Sequence, residues 1–476
     1  MSAVDAEPTP PPALISVRAS RGPSARRRGG HNDTLMWWLL FVLALVPLPL
    51  ASNRPLFWAL SALVVGAIGV VYVLTIWRSA SPIRLPLRLV AIPAVLQVVL
   101  CFYLIVQALP LGFVPPLALP ADPTVLIPHP SISIMAGETW LMLLRQVSYA
   151  VFALLILQVA TLESRRTRVF NALLVIICAY ALWGLASLRL GDTILGLPKW
   201  AYQGSATSTF VNRNSFATFL AFGVCLASAS FAQAILPSLR PGEATSRAPW
   251  GTIALHVVAM ILLFAAVLAT QSRMGLFVSV VGAVAVAGAA LLRGRAGWPA
   301  AVAAVALAIG AACAGLYLFG DGLFERVGSL EQSAVVRTDF YQQILGLIGL
   351  RPLTGFGGGA FEQAYALVHQ LPVNPDVVWD RGHNTYLTLW SELGIVFGSL
   401  PILIYCLIFG QILLALVQRR GDWLPQAIAL SVMLVGGLHS LVDFSLEIQA
   451  NTYFFVALVS IGLGSTLFAS RPKQAE

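Results

Sequence analysis

Three residues join useful chemistry to a helix-terminal setting: Arg213, Arg273 and His383, each at the start of a long apolar run. Arginine's planar fork matches phosphate oxygens and keeps its charge in a partly dry site. Histidine exchanges protons near neutral pH, and a helix N-terminus favours anions. His383 belongs to Arg381-Gly382-His383-Asn384-Thr385-Tyr386, after which the chain drops into an apolar helix, Leu387 to Leu416. Asn384 or Thr385 is the natural N-cap of that helix, so His383 stands at its mouth. The polar segment before it, 320–381, gathers Arg326, Arg337, Arg351 and His369 in a chain with only 10% charged residues. Such a set is suited to gripping an anionic group while a base takes a proton from a nucleophile. Each member also has a plain reading, since an arginine at a span end snorkels to headgroups and His383 also serves as a polar capping residue.

Other ionisable groups fall inside apolar spans, where a functional role is the default. Glu392 shares a helical stripe with Thr385 and Thr388, and either lines a substrate cavity or bonds a neighbouring helix. His439 and Asp443 are four apart, spaced for mutual contact on one helix face, and are expected to form a structural pair. Arg145 needs a partner or a phosphate, whereas His256 reads as a packed core histidine. Asp376 and Asp380 read as solvated loop residues. There is no Asp-X-Asp pair and no His/Asp cluster with metal spacing in the outer loops, so neither a metal nor a metal-dependent transferase is expected. No Gly-X-Ser-X-Gly elbow is present. Gly355-Phe356-Gly357-Gly358-Gly359 lacks the Lys-Ser/Thr of a P-loop and reads as a tight backbone turn approaching substrate.

The elements that must carry these residues follow from composition. Apolar residues make up 58% of the chain and mean hydropathy is +0.82, outside the range of soluble domains. Runs of membrane-crossing length recur, and the fold expected is all-α and polytopic, with about twelve transmembrane helices. They fall near 35–51, 56–77, 89–108, 139–161, 169–188, 214–236, 251–271, 274–292, 298–319, 386–416, 424–443 and 452–469. The expected divisions are a disordered basic cytoplasmic arm over 1–33 and helices one to nine over 34–319. A large periplasmic loop, 320–385, carries catalytic residues, and helices ten to twelve with a short cytoplasmic tail fill 386–476. With the N-terminus inside, the inner segments hold 19 of the 29 Lys and Arg and the outer segments 9. That asymmetry orients the chain with both termini cytoplasmic and the large loop outside. The net charge of +9 is spread over short loops, so it reports topology and not nucleic-acid binding. The five cysteines all lie in apolar spans, which excludes a disulfide framework.

Several segments together resemble the bacterial O-antigen ligase and polymerase superfamily of membrane glycosyltransferases. They are Phe210-Val211-Asn212-Arg213-Asn214-Ser215, Ser272-Arg273-Met274-Gly275, Arg337, Arg351-Pro352-Leu353-Thr354-Gly355, His383-Asn384-Thr385-Tyr386 with Glu392-Leu393-Gly394, and His439-Ser440-Leu441-Val442-Asp443. Ser215 stands where many relatives carry histidine, so nothing catalytic is assigned there. The resemblance implies an inverting, metal-independent and cofactor-free enzyme of the bacterial inner membrane, with its active site in the periplasm. It would move a glycan from undecaprenyl diphosphate to a lipid A-core or glycan acceptor. His383 would act as base and Arg213, Arg273 and Arg337 would hold the donor diphosphate. Asn384, Glu392, Arg381, His439, Asp443 and Arg145 would support them. The alternatives are an O-antigen or exopolysaccharide polymerase of the same superfamily, and a transporter or flippase. A transporter usually places polar groups and broken helices at the midplane, whereas the ionisable residues here sit at outer ends.

Overall fold

The computed structural model describes residues 30–112, 116–119, 122–236, 250–293 and 330–469. The helices are α1 (His31–Leu45), α2 (Pro55–Ser79), α3 (Ala91–Ala108), α4 (Ala136–Val159), α5 (Glu163–Arg189), α6 (Arg213–Ile235), α7 (Trp250–Ala269) and α8 (Arg273–Leu292). After them come α9 (Leu330–Leu350), α10 (Phe361–Tyr365), α11 (Thr385–Val417), α12 (Trp423–His439) and α13 (Gln449–Ala469). Two small antiparallel hairpins are the strands among the described residues, Leu117–Leu119 with Asp122–Ile127 and Thr193–Ile194 with Leu197–Pro198. The architecture is all-α and polytopic. Among the described residues nine helices, α2 to α8, α11 and α13, are long and apolar enough to cross a membrane, and α12 is a shorter apolar helix. The expected ninth span, 298–319, lies outside the described residues, as do the arm up to residue 29 and loop residues 320–329.

Three elements depart from the sequence expectation. The first helix starts at His31, inside the expected arm, because the Asp33 carboxylate accepts from the Gly30 amide at 3.2 Å. It stops at Leu45, ahead of Pro47 and Pro49. Within the polar loop, 330–350 is a helix, and Phe340, Ile344, Leu347 and Ile348 form its buried stripe. Finally, α12 ends at His439, so Asp443 lies off the helix.

At the centre stands α6, with 94% of its most apolar window buried, packed against α5, α7, α8, α12 and α13. Small residues allow that approach. A Cβ on Gly275 of α8 would lie 2.3 Å from that of Ala217 on α6. The loops gather at two ends. At one end Thr209 bonds Pro47 O at 2.7 Å, the Ile134 amide bonds Phe356 O at 2.9 Å, and the Thr385 amide bonds Ser440 O at 3.0 Å. At the other end Arg168 pairs with Asp33 at 3.2 Å and Arg166 with Asp422 at 3.5 Å. The segments expected outside thus meet at the first end, and those expected inside at the second.

The long helix α11 is interrupted at Gly394, which has φ of +73°. The 352–359 turn fills the break. Phe356 N donates to Ser391 O at 3.0 Å, Gly357 N to Glu392 O at 2.8 Å, and Ile395 N to Pro352 O at 2.7 Å. Backbone groups freed inside an apolar bundle are therefore satisfied by protein.

Candidate active site

His383 follows from how the chain enters α11. Asn384 caps the helix, its side chain accepting from Tyr386 N at 3.0 Å and Leu387 N at 3.2 Å. Its amide nitrogen donates to Leu441 O at 3.0 Å, tying the cap to the 440–448 segment. The preceding residue is Gly382, where a Cβ would meet Thr388 Oγ1 at 2.5 Å. That glycine is required by space. His383 itself has φ of +48°, an unusual conformation for a side-chain-bearing residue, and its carbonyl accepts from Tyr341 at 2.8 Å. The imidazole sits among the rings of Phe444, Trp379 and Phe340, with centroids 4.9, 6.0 and 6.2 Å away.

Its polar partner is Asp443. Nδ1 of His383 lies 3.8 Å from Asp443 Oδ1, and the two side chains are 28% and 1% exposed. Asp443 also accepts from Asn214 Nδ2 at 3.4 Å and from the Ser445 hydroxyl. Burial alone would raise this carboxyl, but the His383 and His439 imidazoles and the Ser445 hydroxyl hold it below its ordinary range. The expected His439–Asp443 contact is replaced. Because α12 ends at His439, Asp443 turns toward His383, and the buried His439 bonds the Thr218 hydroxyl on α6.

Of the arginines expected at the diphosphate, Arg213 and Arg337 act on the same phenol, Tyr202, as Asp443 does. Arg213 opens α6 after the Asn212 cap, stacks over Tyr202 at 5.3 Å and reaches Ser205 Oγ at 3.5 Å. Arg273 opens α8 two residues after Gln271, whose side chain accepts from Ser205 Oγ at 3.3 Å and donates to Gly204 O at 3.0 Å. Arg337 lies exposed on α9, one turn before Tyr341. Burial raises the Tyr202 phenol, and the charges acting on it are those of Asp443, Arg213, Asp380 and Arg337. These groups converge from four separated parts of the chain.

Arg381 and Arg145 stand apart from them. Arg381 pairs with Glu447 at 3.2 Å, bonds Asn53 at 3.3 Å and lies over Phe444 at 5.9 Å. Arg145 donates to the Glu447 carbonyl and lies 4.5 Å above the Trp58 ring. The Phe444 ring is in contact with both sets, with His383 at 4.9 Å and Arg381 at 5.9 Å. Arg145, Arg381, Glu392 and Glu447 line a cavity of about 590 Å3 whose remaining wall is largely apolar, from α3, α4, α11, α12 and α13. Glu392 resolves its two readings in part: Oε1 accepts from Phe361 N at 3.3 Å, anchoring α10, while the residue also borders the cavity. The glycine turn is packed on protein at Gly355, where a Cβ would lie 2.3 Å from Glu392 O, and borders the cavity at Gly359. Glu447, Tyr202 and Phe444 were missed in the sequence. Of these, Glu447 carried a signal, an acid set among apolar residues between two spans. Among the described residues no three His, Cys, Asp or Glu side chains group as metal ligands.

A multi-span all-α bundle with a cluster of ionisable side chains at one end defines an integral membrane protein with a candidate site at its helix mouths. A family model described as O-antigen ligase matches residues 258–402. Over this stretch, which is less than half of the chain, the sequence is similar to the O-antigen ligase family. The stretch contains Arg273, Arg337, Arg381, His383, Asn384 and Glu392, whereas Arg145, Arg213, His439 and Asp443 lie outside it. Among curated proteins, none matches the chain.

Proposed function

We propose that the protein is an inverting, metal-independent glycosyltransferase of the inner membrane, acting at the periplasmic face as an O-antigen ligase. Its donor is a glycan on undecaprenyl diphosphate, and its acceptor is a lipid A-core sugar. The observation that carries this reading is the convergence of His383 and Asp443 with Arg213 and Arg337 at one end of the bundle. In the reaction an acceptor hydroxyl attacks the anomeric carbon, and the bond from that carbon to the diphosphate oxygen breaks. His383 takes the hydroxyl proton, and Asp443 steadies the imidazolium that forms. Arg213, Arg273 and Arg337 balance the charge that grows on the departing diphosphate. One in-line displacement inverts the anomeric carbon. The largely apolar cavity beside Arg381 and Glu447 offers the lipid chain a wall inside the bundle.

A polymerase would use the same site with a growing glycan as acceptor. A transporter reading draws less support, because the break in α11 is closed by the 352–359 turn and not left open to a solute. The purified protein in EDTA, given lipid-linked donor and lipid A-core acceptor, should transfer glycan, and His383→Ala should lose ~100- to 10,000-fold in rate. Near wild-type transfer by folded His383→Ala, or activity restored only by a divalent cation, would remove this mechanism. Deletion of the gene discriminates the acceptor: full-length chains left on the carrier mark a ligase, and single repeat units a polymerase.

A further inference from the structure

A second cleft, of mixed polar and apolar lining, lies on the other side of α9 from His383. It measures about 380 Å3 and is lined by Asp339, Gln342, Gln343, Gly346 and Leu350, with the turn 368–372 opposite. Those helix positions recur at intervals of three and four and so share one face. Phe340 and Tyr341 face the other way, where the Phe340 ring lies 6.2 Å from that of His383 and Tyr341 bonds its carbonyl. Cleft and base are therefore two sides of one helix, a body ~10–12 Å across. Its size falls in the ~300–1,000 Å3 range of small-ligand sites.

The lining decides the class of ligand. Among the described residues the lining holds amide, carboxylate and apolar side chains and no lysine or arginine, a set suited to hydroxyl groups more than to phosphate. Amide side chains pair a donor with an acceptor, the pattern that neighbouring sugar hydroxyls present. Gln343 is already committed: it donates to Gln370 O at 2.7 Å and accepts from Tyr365 at 2.7 Å, pinning the turn to the helix. The floor is thus prebuilt. The Gln342 and Gln370 residues are exposed at its edge, and Leu350 and Leu371 present apolar surface suited to the C–H face of a sugar ring. We propose that this cleft is a subsite for a neutral saccharide segment of a substrate glycan, one helix-width from the reacting hydroxyl. The proposal rests on the glycosyltransferase reading for its location. The segment belongs either to the donor chain or to the acceptor, and both present the same hydroxyl chemistry.

Gly346 provides the test, because a Cβ there meets nothing within 4 Å, so Gly346→Phe fills the cleft without an internal clash. Full-length protein in nanodiscs would be titrated with two probes released by mild acid from the cells' own surface glycan, the core oligosaccharide and the repeat-unit oligosaccharide. Wild type should bind one of them. Gly346→Phe and Gln342→Ala should weaken that binding about tenfold, the scale of one or two neutral hydrogen bonds, and His383→Ala should keep it. Core binding assigns the cleft to the acceptor, and repeat-unit binding to the donor. In the transfer assay the KM for that substrate alone should rise, with kcat unchanged. Unaltered binding and KM in Gly346→Phe, or no binding of either probe to wild type, would overturn the subsite. Binding that obeys these variants in a protein without transferase activity would keep the subsite and sink the catalytic reading.

Discussion

The Asp443 carboxyl is 1% exposed, yet its pKa is depressed, so its ionised form is held by neighbours and not by water. The sign of the pH effect follows. A depressed carboxyl stabilises the fold fully above its unfolded value, near 3.9, and that contribution is lost as pH falls through the folded value. Thermal unfolding in detergent should therefore show an acid-side loss of stability below about pH 4 that is shallower in Asp443→Asn. An identical acid profile in the variant would show that the carboxyl is not held ionised. The same substitution should cost about tenfold or more in transfer at neutral pH, because an amide cannot steady an imidazolium. His439→Ala should instead lower yield or stability while leaving residual specific activity, since that ring bonds Thr218 in the core. For the arginines, geometry matters beyond charge. Arg213→Lys and Arg273→Lys should each lose about tenfold in transfer if a planar fork meets the diphosphate, and full activity in both would remove that role.

At the scale of elements, the break in α11 holds the site's scaffold together. Gly394 has φ of +73°, and a Cβ there would lie 2.3 Å from Leu353 O. Alanine must distort either the helix or the inserted turn, and Gly394→Ala should lower stability by roughly 2–4 kcal/mol. Gly410, in the same helix with nothing within 4 Å, serves as the control, and Gly410→Ala should be neutral or stabilise by up to about 1 kcal/mol. Thermal melts of the two variants in one detergent compare them directly; equal melting temperatures would mean that the turn does not depend on the break. Some of this region was readable in advance. The cap at Asn384 and the polar stripe through Glu392 both follow from residue types and spacing. The break was not, because Gly394 amid strong helix formers looks like a tolerated glycine until the turn that fills it is seen.

For the whole molecule, the loops expected outside collect at the end that carries His383, and those expected inside at the other. Single cysteines in a cysteine-free background convert that geometry into orientation. Asp376→Cys, exposed at the His383 end, should react in intact cells with an impermeant thiol reagent, and Ser164→Cys, exposed at the opposite end, should not. The reverse pattern would place the site in the cytoplasm and remove it from a periplasmic substrate.

What the sequence determined by itself was the all-α class, the position of most spans within a few residues, and the candidates His383, Arg213, Arg273 and Arg337. These depend on local quantities: length of apolar runs, capping residues, and the scarcity of charge. The helix over 330–350 escaped because its buried stripe is short and interrupted by polar residues, and only packing against Tyr365 and Trp379 shows what it covers. Tertiary structure alone decided the partners. Asp443 pairs with His383 from 60 residues away because α12 stops at His439, and Asn214 joins them from α6. Arg381, two residues from His383 in sequence, pairs with Glu447 instead of joining Asp443. Spacing along a helix predicts neighbours only while the helix continues, and at this site the decisive contacts begin where the helices end.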